Sequence, residues 1–487
     1  MTREVAKRRR TTWVTLARLE LRSLWRRRLA WIAALALLGM GSAAIAHGTA
    51  RVDKERTAIR IGAAELDEQA RYLGEITRAD DDLGLLLYYL AMPVSQEPSA
   101  WAPVATGLRG VHPAARQLRF LGLIPQLYQT EIGNPMVEHA GHFDLGVVLV
   151  FSLPLLIIAL GHDVWSRDDE LGTTAAVRAE SVSLSRLIAM RLWLRAGWLS
   201  AVLIALLAVA VWTFGMPLDR RVALLLCATL GYTAIWWLVV FFVSSWRRSS
   251  VFNALALLGI WLGACVLLPA LLHLGSNVAW PVRGGVQLTL EQRMDMNSRW
   301  DRPKAETLDP FFRRRPEWAG TVVPSDSFSW PWYYAMHEVA DARVADQVAE
   351  HRAALERRAR WTARAAWALP PLALELLLER LAGNDLTTAL VYRDSIAAYH
   401  EALKQTVYPA LFRYQGLSTF DLDQLPRHHF SSDEVDAPLP GWAGLLCFLL
   451  LAVALVPLAA RRLDAVDASE ANDAVTNTVL PTPMAGA

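Results

Sequence analysis

Apolar and charged residues are segregated along this chain rather than interleaved. Six apolar blocks stand out, at residues 29–46, 144–161, 196–214, 222–243, 251–272 and 441–460. None carries Asp, Glu, Lys or Arg in its interior. Each approaches the roughly 17–25 residues that a helix needs to cross a bilayer. The pattern predicts an all-α integral membrane protein with six transmembrane helices. Two long polar segments, 47–143 and 273–440, separate the first span from the second and the fifth from the sixth.

Those segments carry their own periodicities. Ile59, Leu66 and Leu73 recur every seventh residue in a charged stretch that reads as helix. Met336, Ala340, Val344 and Val348 form one stripe, and Ile396, Tyr399, Leu403 and Val407 another. A helical hairpin closed near Pro370-Pro371 and Gly383-Asn384 would bury both. The run Asp309-Pro310-Phe311-Phe312-Arg313-Arg314-Arg315-Pro316 reads as irregular. No strand-period run and no internal repeat is evident, so both segments are expected to be mainly helical.

Charge sets the orientation. Lys7, Arg8, Arg9, Arg10, Arg18, Arg22, Arg26, Arg27 and Arg28 crowd the N-terminal tail, which places residues 1–28 in the cytoplasm. Alternation then makes 162–195 and 461–487 cytoplasmic and leaves the two large segments outside. Arg167, Arg178, Arg186, Arg191 and Arg195 agree with this, as do Arg247, Arg248, Arg461 and Arg462. Arg220 and Arg221 fall outside against the rule. Ala44-Ile45-Ala46 resembles a signal cleavage site, but the long basic tail and the length of the apolar block favour a retained anchor. The net charge of +2 over 487 residues points to no nucleic-acid partner. Cys227, Cys265 and Cys447 all lie in apolar blocks and read as buried small hydrophobes.

Candidate chemistry is sparse. There is no Gly-x-x-x-x-Gly-Lys-Ser/Thr stretch, so the chain has no P-loop of its own. The spans lack the intramembrane carboxylates of ion-driven carriers. Pro154, Pro269 and Pro457 interrupt three spans, chiefly as packing adjustments. His139, His142 and Asp144 are spaced like metal ligands, as are His428 and His429 near Asp433 and Glu434. His337-Glu338 and His400-Glu401 lack the second His of a zincin. Asp80-Asp81-Asp82 reads as a solvated helix cap, and Arg313-Arg314-Arg315 as part of a loop packed by Phe311, Phe312 and Trp318. No metal site is expected. Trp13, Leu16, Leu24 and Trp25 share one face of a helix with arginines opposite, the pattern of a basic interfacial helix that also meets membrane lipid.

The segment after the second span reads Asp169-Glu170-Leu171-Gly172-Thr173, then Ser181-Val182-Ser183, Leu187 and Arg191. It resembles the type-2 ABC transporter permease family, where Glu-Arg-Gly-Thr-Leu precedes Pro-Val-Ser and then a Lys. Glu170, Gly172, Thr173, Val182, Ser183 and Leu187 match. Leu171 replaces the usual Arg, Ser181 the Pro, and Arg191 the Lys. Leu19-Glu20-Leu21 with Trp25-Arg26-Arg27-Arg28 resembles the family's interfacial helix. Gly107–Pro113, Glu131, Asn134-Pro135, Gly141–Asp144 and Leu381–Asp385 resemble a subfamily with two large extracytoplasmic insertions.

The resemblance implies a permease subunit of an ATP-driven exporter in the inner membrane, not itself an enzyme. Its Arg167, Asp168, Asp169, Glu170, Gly172 and Thr173 would form the coupling helix. Trp13, Glu20 and Trp25 would belong to the interfacial helix. The implied partners are ABC ATPase subunits, which bind the ATP and Mg, and a second permease, identical or homologous. The competing expectation is a membrane-anchored scaffold or sensor that binds a partner through its outer segments.

Overall fold

The computed structural model describes residues 2–76, 83–110, 114–128, 143–173, 183–282, 284–415, 422–435 and 439–479. Asp80–Asp82, Val111–Pro113, Glu131, Asn134-Pro135, His139, Gly141-His142, Ser181 and Val182 lie outside the described residues. So do the side chains of Trp13 and Leu73.

The chain is predominantly helical. Helix α1 (Thr2–Arg26) breaks at Arg27 and gives way to α2 (Arg28–Ile76). The first apolar block is therefore only the beginning of a much longer helix. No proline interrupts it, and helix-compatible residues carry it on as an arm toward the large segments. After α3 (Leu83–Tyr89) and the short α4 (Leu123–Tyr128) come four long helices. These are α5 (Leu145–Glu170), α6 (Leu184–Phe214), α7 (Arg220–Ser244) and α8 (Ser250–Ala279). The later segment contains α9 (Gly285–Ser298), α10 (Ala305–Arg314), α11 (Trp330–Arg343), α12 (Ala345–Ala365), α13 (Pro370–Ala382) and α14 (Leu386–Phe412). Helix α15 (Trp442–Val479) closes the chain. Among the described residues, α2, α5, α6, α7, α8 and α15 are long and apolar enough to cross a membrane, which marks a multi-pass membrane protein.

Three expectations need correction. First, two strands exist: β1 (Ala91–Ser95) pairs antiparallel with β2 (Ala115–Arg119), Met92 opposite Leu118. They escape a periodicity search because Pro93 interrupts one and Arg116, Gln117 and Arg119 fill the other. What holds them is burial of Met92, Val94 and Leu118. Second, 305–314 is helical despite Pro310. Phe311 is fully buried and stacks on Phe412 at 5.1 Å, and that packing outweighs the one missing backbone donor. Third, Pro370-Pro371 and Gly383 do not close a hairpin. They bracket α13: the prolines occupy its first turn, where no donor is needed, and Gly383 ends it with φ +68°.

Two apolar cores result. One lies among the six long helices. The other joins the two large segments: Leu83, Leu86, Met92 and Leu118 pack with Leu288, Phe311, Ile396, Leu403 and Val407. Both predicted stripes are buried, apart from a half-buried Val348. Helix α13 departs from its own segment. Its Leu372, Leu374, Leu377, Leu378 and Leu381 belong to the core of the long helices. Gly441, at φ +83°, lies so close beneath α13 that a Cβ there would overlap the Ala373 carbonyl oxygen. Cys265 is buried, but Cys227 and Cys447 face outward from the bundle, so burial does not explain those two.

Arg221, which with Arg220 is expected to break the charge rule, is paired locally. Its guanidinium meets Asp219 at 3.0 Å and Asp433 at 2.7 Å and lies over the Trp101 ring.

Candidate functional sites at the two ends of the bundle

At the end of the bundle that carries the chain termini, the C-terminal turn of α5 meets α1, α6 and α8. Arg191 of α6 is the centre of this junction. Its guanidinium binds Glu20 of α1 at 2.7 Å, Asp168 of α5, and the Val164 carbonyl oxygen at 3.2 Å. A second set lies one turn deeper, where Asp163 pairs with Arg27 and, at 3.2 Å, with Arg195. These groups line a cavity of about 600 Å³ shared with Arg22, Arg26 and Arg167. Trp25, Trp31 and Trp198 cluster beside it with ring centroids 5.0–5.5 Å apart.

The sequence-predicted coupling residues divide into two groups. Asp168 turns inward onto Arg191. Arg167, Asp169, Glu170, Leu171, Gly172 and Thr173 are exposed. Residues Ser166–Glu170 form a short helical turn, Gly172 takes φ +69°, and the Thr173 hydroxyl donates to the Asp168 carbonyl oxygen at 3.1 Å. The Glu170 carboxylate accepts the Ser250 backbone N–H at 2.8 Å and so caps the start of α8. Ser183 and Ser185, at the start of α6, donate to Asp464 of α15. The turn is thus held by α1, α6 and α8, and its outer residues are exposed.

At the opposite end lies a site that no sequence motif marks. Helix α5 widens into a π-helical turn at Val148–Ser152, and α8 does so at Gly263–Leu267. Such turns accompany functional sites more often than chance. Tyr232 donates to the Val150 carbonyl oxygen at 2.8 Å and Trp261 to that of Phe151 at 3.1 Å, satisfying carbonyls the wider turn releases. Helix α13 packs against both π turns. Between α13 and the start of α5 is a cavity of about 370 Å³, lined by Thr106, Asp144, Val150, Phe151, Glu375 and Glu379 among others.

The three acids in that cavity differ. Asp144 is satisfied, because it accepts the Thr106 and Val147 backbone N–H groups at 2.7 and 2.9 Å. Glu375 and Glu379, one turn apart on α13, have no hydrogen bond or ion pair among the described residues. Burial pushes the Glu379 carboxyl up to about 8, helped by the charges of Glu375, Asp385 and Asp144. Glu375 rises to about 6 through burial and Asp144. The available sequence signal was a pair of Glu four residues apart in a Leu-rich run too short to span, the length typical of a re-entrant segment.

Asp433 is taken by Arg221, and His428 meets Ser395 at 3.1 Å, so no ligand set forms there. Among the described residues no three His, Cys, Asp or Glu side chains converge to hold a metal ion. Of the arginine run, Arg315 points inward to Glu338 at 2.9 Å and Glu401 at 2.6 Å, and Lys404 completes that network. His337 and His400 are buried beside it, and burial lowers each to about 4.

Residues 286–431 match a family described as a domain of unknown function, DUF3526. The match runs from α9 through α14 and ends before α15, so it includes α13 with Glu375 and Glu379. No curated protein and no solved structure matches the chain.

Proposed function

We infer that this chain is the membrane-spanning permease subunit of an ATP-driven exporter and works with a separate ATPase subunit. The observation that carries the reading is the turn at Ser166–Glu170. It exposes charged and small residues while Arg191 ties it to α1 and α6 and Glu170 ties it to α8. A docked partner that pushes on such a turn moves three helices together, which is what transmission of ATPase closure requires. The exposed edge offers Arg167, Asp169, Glu170 and Leu171 to the ATPase. Gly172 provides the sharp turn behind it, at a φ that other residues adopt only with strain.

In this reading both termini are cytoplasmic, the segments 47–143 and 273–440 are extracytoplasmic, and the chain resides in the inner membrane. ATP and Mg bind the ATPase. A second permease, identical or homologous, completes the translocation path, and cargo moves outward between the two.

Affinity purification of the full chain from its native membrane tests the reading. An ATP-hydrolysing subunit should co-purify in stoichiometric amount, and Leu171→Asp or Gly172→Pro should release it without unfolding the chain. A chain that purifies without an ATPase, or one whose ATPase is indifferent to both substitutions, would leave the scaffold-or-sensor reading in its place.

A further inference from the structure

Every other acid within the folded interior that bears on a candidate site has a partner. Asp163 has Arg27 and Arg195, and Glu338 has Arg315, Lys404 and Tyr408. Asp385 has Arg380 at 3.0 Å, and Asp341 has Gln292 and the Leu123 backbone N–H. Glu375 and Glu379 have none among the described residues. Both face the same cavity, and among the described residues no Lys, Arg or His lines it. Of the basic residues nearby, Arg109 pairs with Glu55 and Arg380 with Asp385, while Arg51 bonds the Ala102 carbonyl oxygen at 2.7 Å and feels the charges of Glu55 and Asp144.

We propose that the cavity between α13 and the start of α5 is a binding site for a small organic cation, an alkylammonium, received by the Glu375 and Glu379 carboxylates. The chemistry follows from what the walls supply. Two carboxylates one helical turn apart offer four acceptor oxygens, which an ammonium group can use with all of its N–H donors. Asp144 adds negative potential without competing for the ligand, because backbone N–H groups already occupy its oxygens. Val150 and Phe151 of the π turn supply apolar wall for the carbon chain. The volume, about 370 Å³, is within the range of small-molecule sites, roughly 300–1,000 Å³. A bound cation would supply the partner that both carboxylates lack, and would favour their ionised forms.

The site does not depend on the transport reading, because binding to this chain alone is what it predicts. The test is calorimetric titration of the purified full-length chain in lipid nanodiscs with n-butylammonium chloride. Sodium chloride at equal ionic strength and 1-butanol serve as controls. The expected result is saturable binding of the amine alone, with release of protons that is seen as a dependence of the heat on the buffer's ionisation enthalpy. Glu375→Gln with Glu379→Gln should weaken it at least tenfold, and each single variant should weaken it less. The Gln replacements keep the shape of α13, and an unchanged unfolding transition verifies that they fold.

Two outcomes overturn the proposal. One is binding that is absent or equally strong in the double variant. The other is a double variant that changes only the pH profile of unfolding while no amine binds at any pH, which would make the pair a protonated structural feature.

Discussion

The two ends of the bundle treat acids that are at least partly buried in opposite ways. At the terminal end, Glu20, Asp163 and Asp168 are each answered by an arginine from another helix, and Arg191 serves two of them. Under α13, Glu375 and Glu379 are answered by nothing among the described residues. Removing one charge from the first arrangement exposes others to burial without compensation. Removing one from the second relieves a cost. A closed junction and an open receptacle are therefore distinguishable by the sign of a mutational effect, without knowledge of the cargo.

The largest expected effect is at the closed end. Arg191→Ala leaves Glu20 and Asp168 partly buried without their cation and should cost about 3 kcal/mol, read as a lower unfolding temperature in detergent. Arg191→Lys, which cannot span both carboxylates bidentately, should recover only part of that. A full recovery by Lys would mean that the junction needs only a point charge. Next comes Gly441→Ala. It adds a Cβ against the Ala373 carbonyl at φ +83° and should cost about 2 kcal/mol. An unchanged transition would show that α13 can ride up without penalty, and the cavity floor would not be rigid.

Glu379→Gln should act in the other direction. Its folded pKa, about 8, is above the unfolded value, so the folded state holds the extra proton. The stability it contributes is intact below pH ~4.5 and is lost as pH rises through about 8. The Gln variant should match the parent at low pH and be the more stable of the two at pH 9. Unfolding temperatures across that range check it, and a variant less stable at pH 9 would mean the carboxylate has a partner after all. The smallest effect on stability belongs to Leu171→Asp at the exposed turn. It should move stability by no more than about 0.5 kcal/mol while abolishing ATPase co-purification.

The sequence made the spans legible because charge-free blocks of the right length have few other uses. Asp168, Glu170 and Gly172 lie close together in the chain, which singles out 167–173, and the stretch is an exposed turn apart from Asp168. What the sequence hid is instructive. In the sequence Arg191 is one of several arginines that set the orientation and a departure from a motif. Its role depends on Glu20, 171 residues away in the chain, and no local pattern reports such a pairing. The sheet was hidden because Pro93 and Arg116 break the alternation, while burial of Met92 and Leu118 holds the strands. Helix α13 was hidden for a subtler reason. Its Pro-Pro start and Gly end read as the two sides of a turn, and its 13 residues are too few to span. Its two acids lie outside the six charge-free blocks, on a short helix that packs against the long ones.

Helix α15 gives the two ends a common part. Near its start, Gly441 bears on the backbone of α13, and Asp464 further along receives Ser183 and Ser185 of the terminal junction. The stretch between them is a continuous helix about 33 Å long. A strut fixed at both ends transmits displacement rather than absorbing it. By thermodynamic reciprocity, an occupant that shifted α13 would bias whatever docks at the far end, and docking there would retune the cavity's hold on its occupant by the same factor.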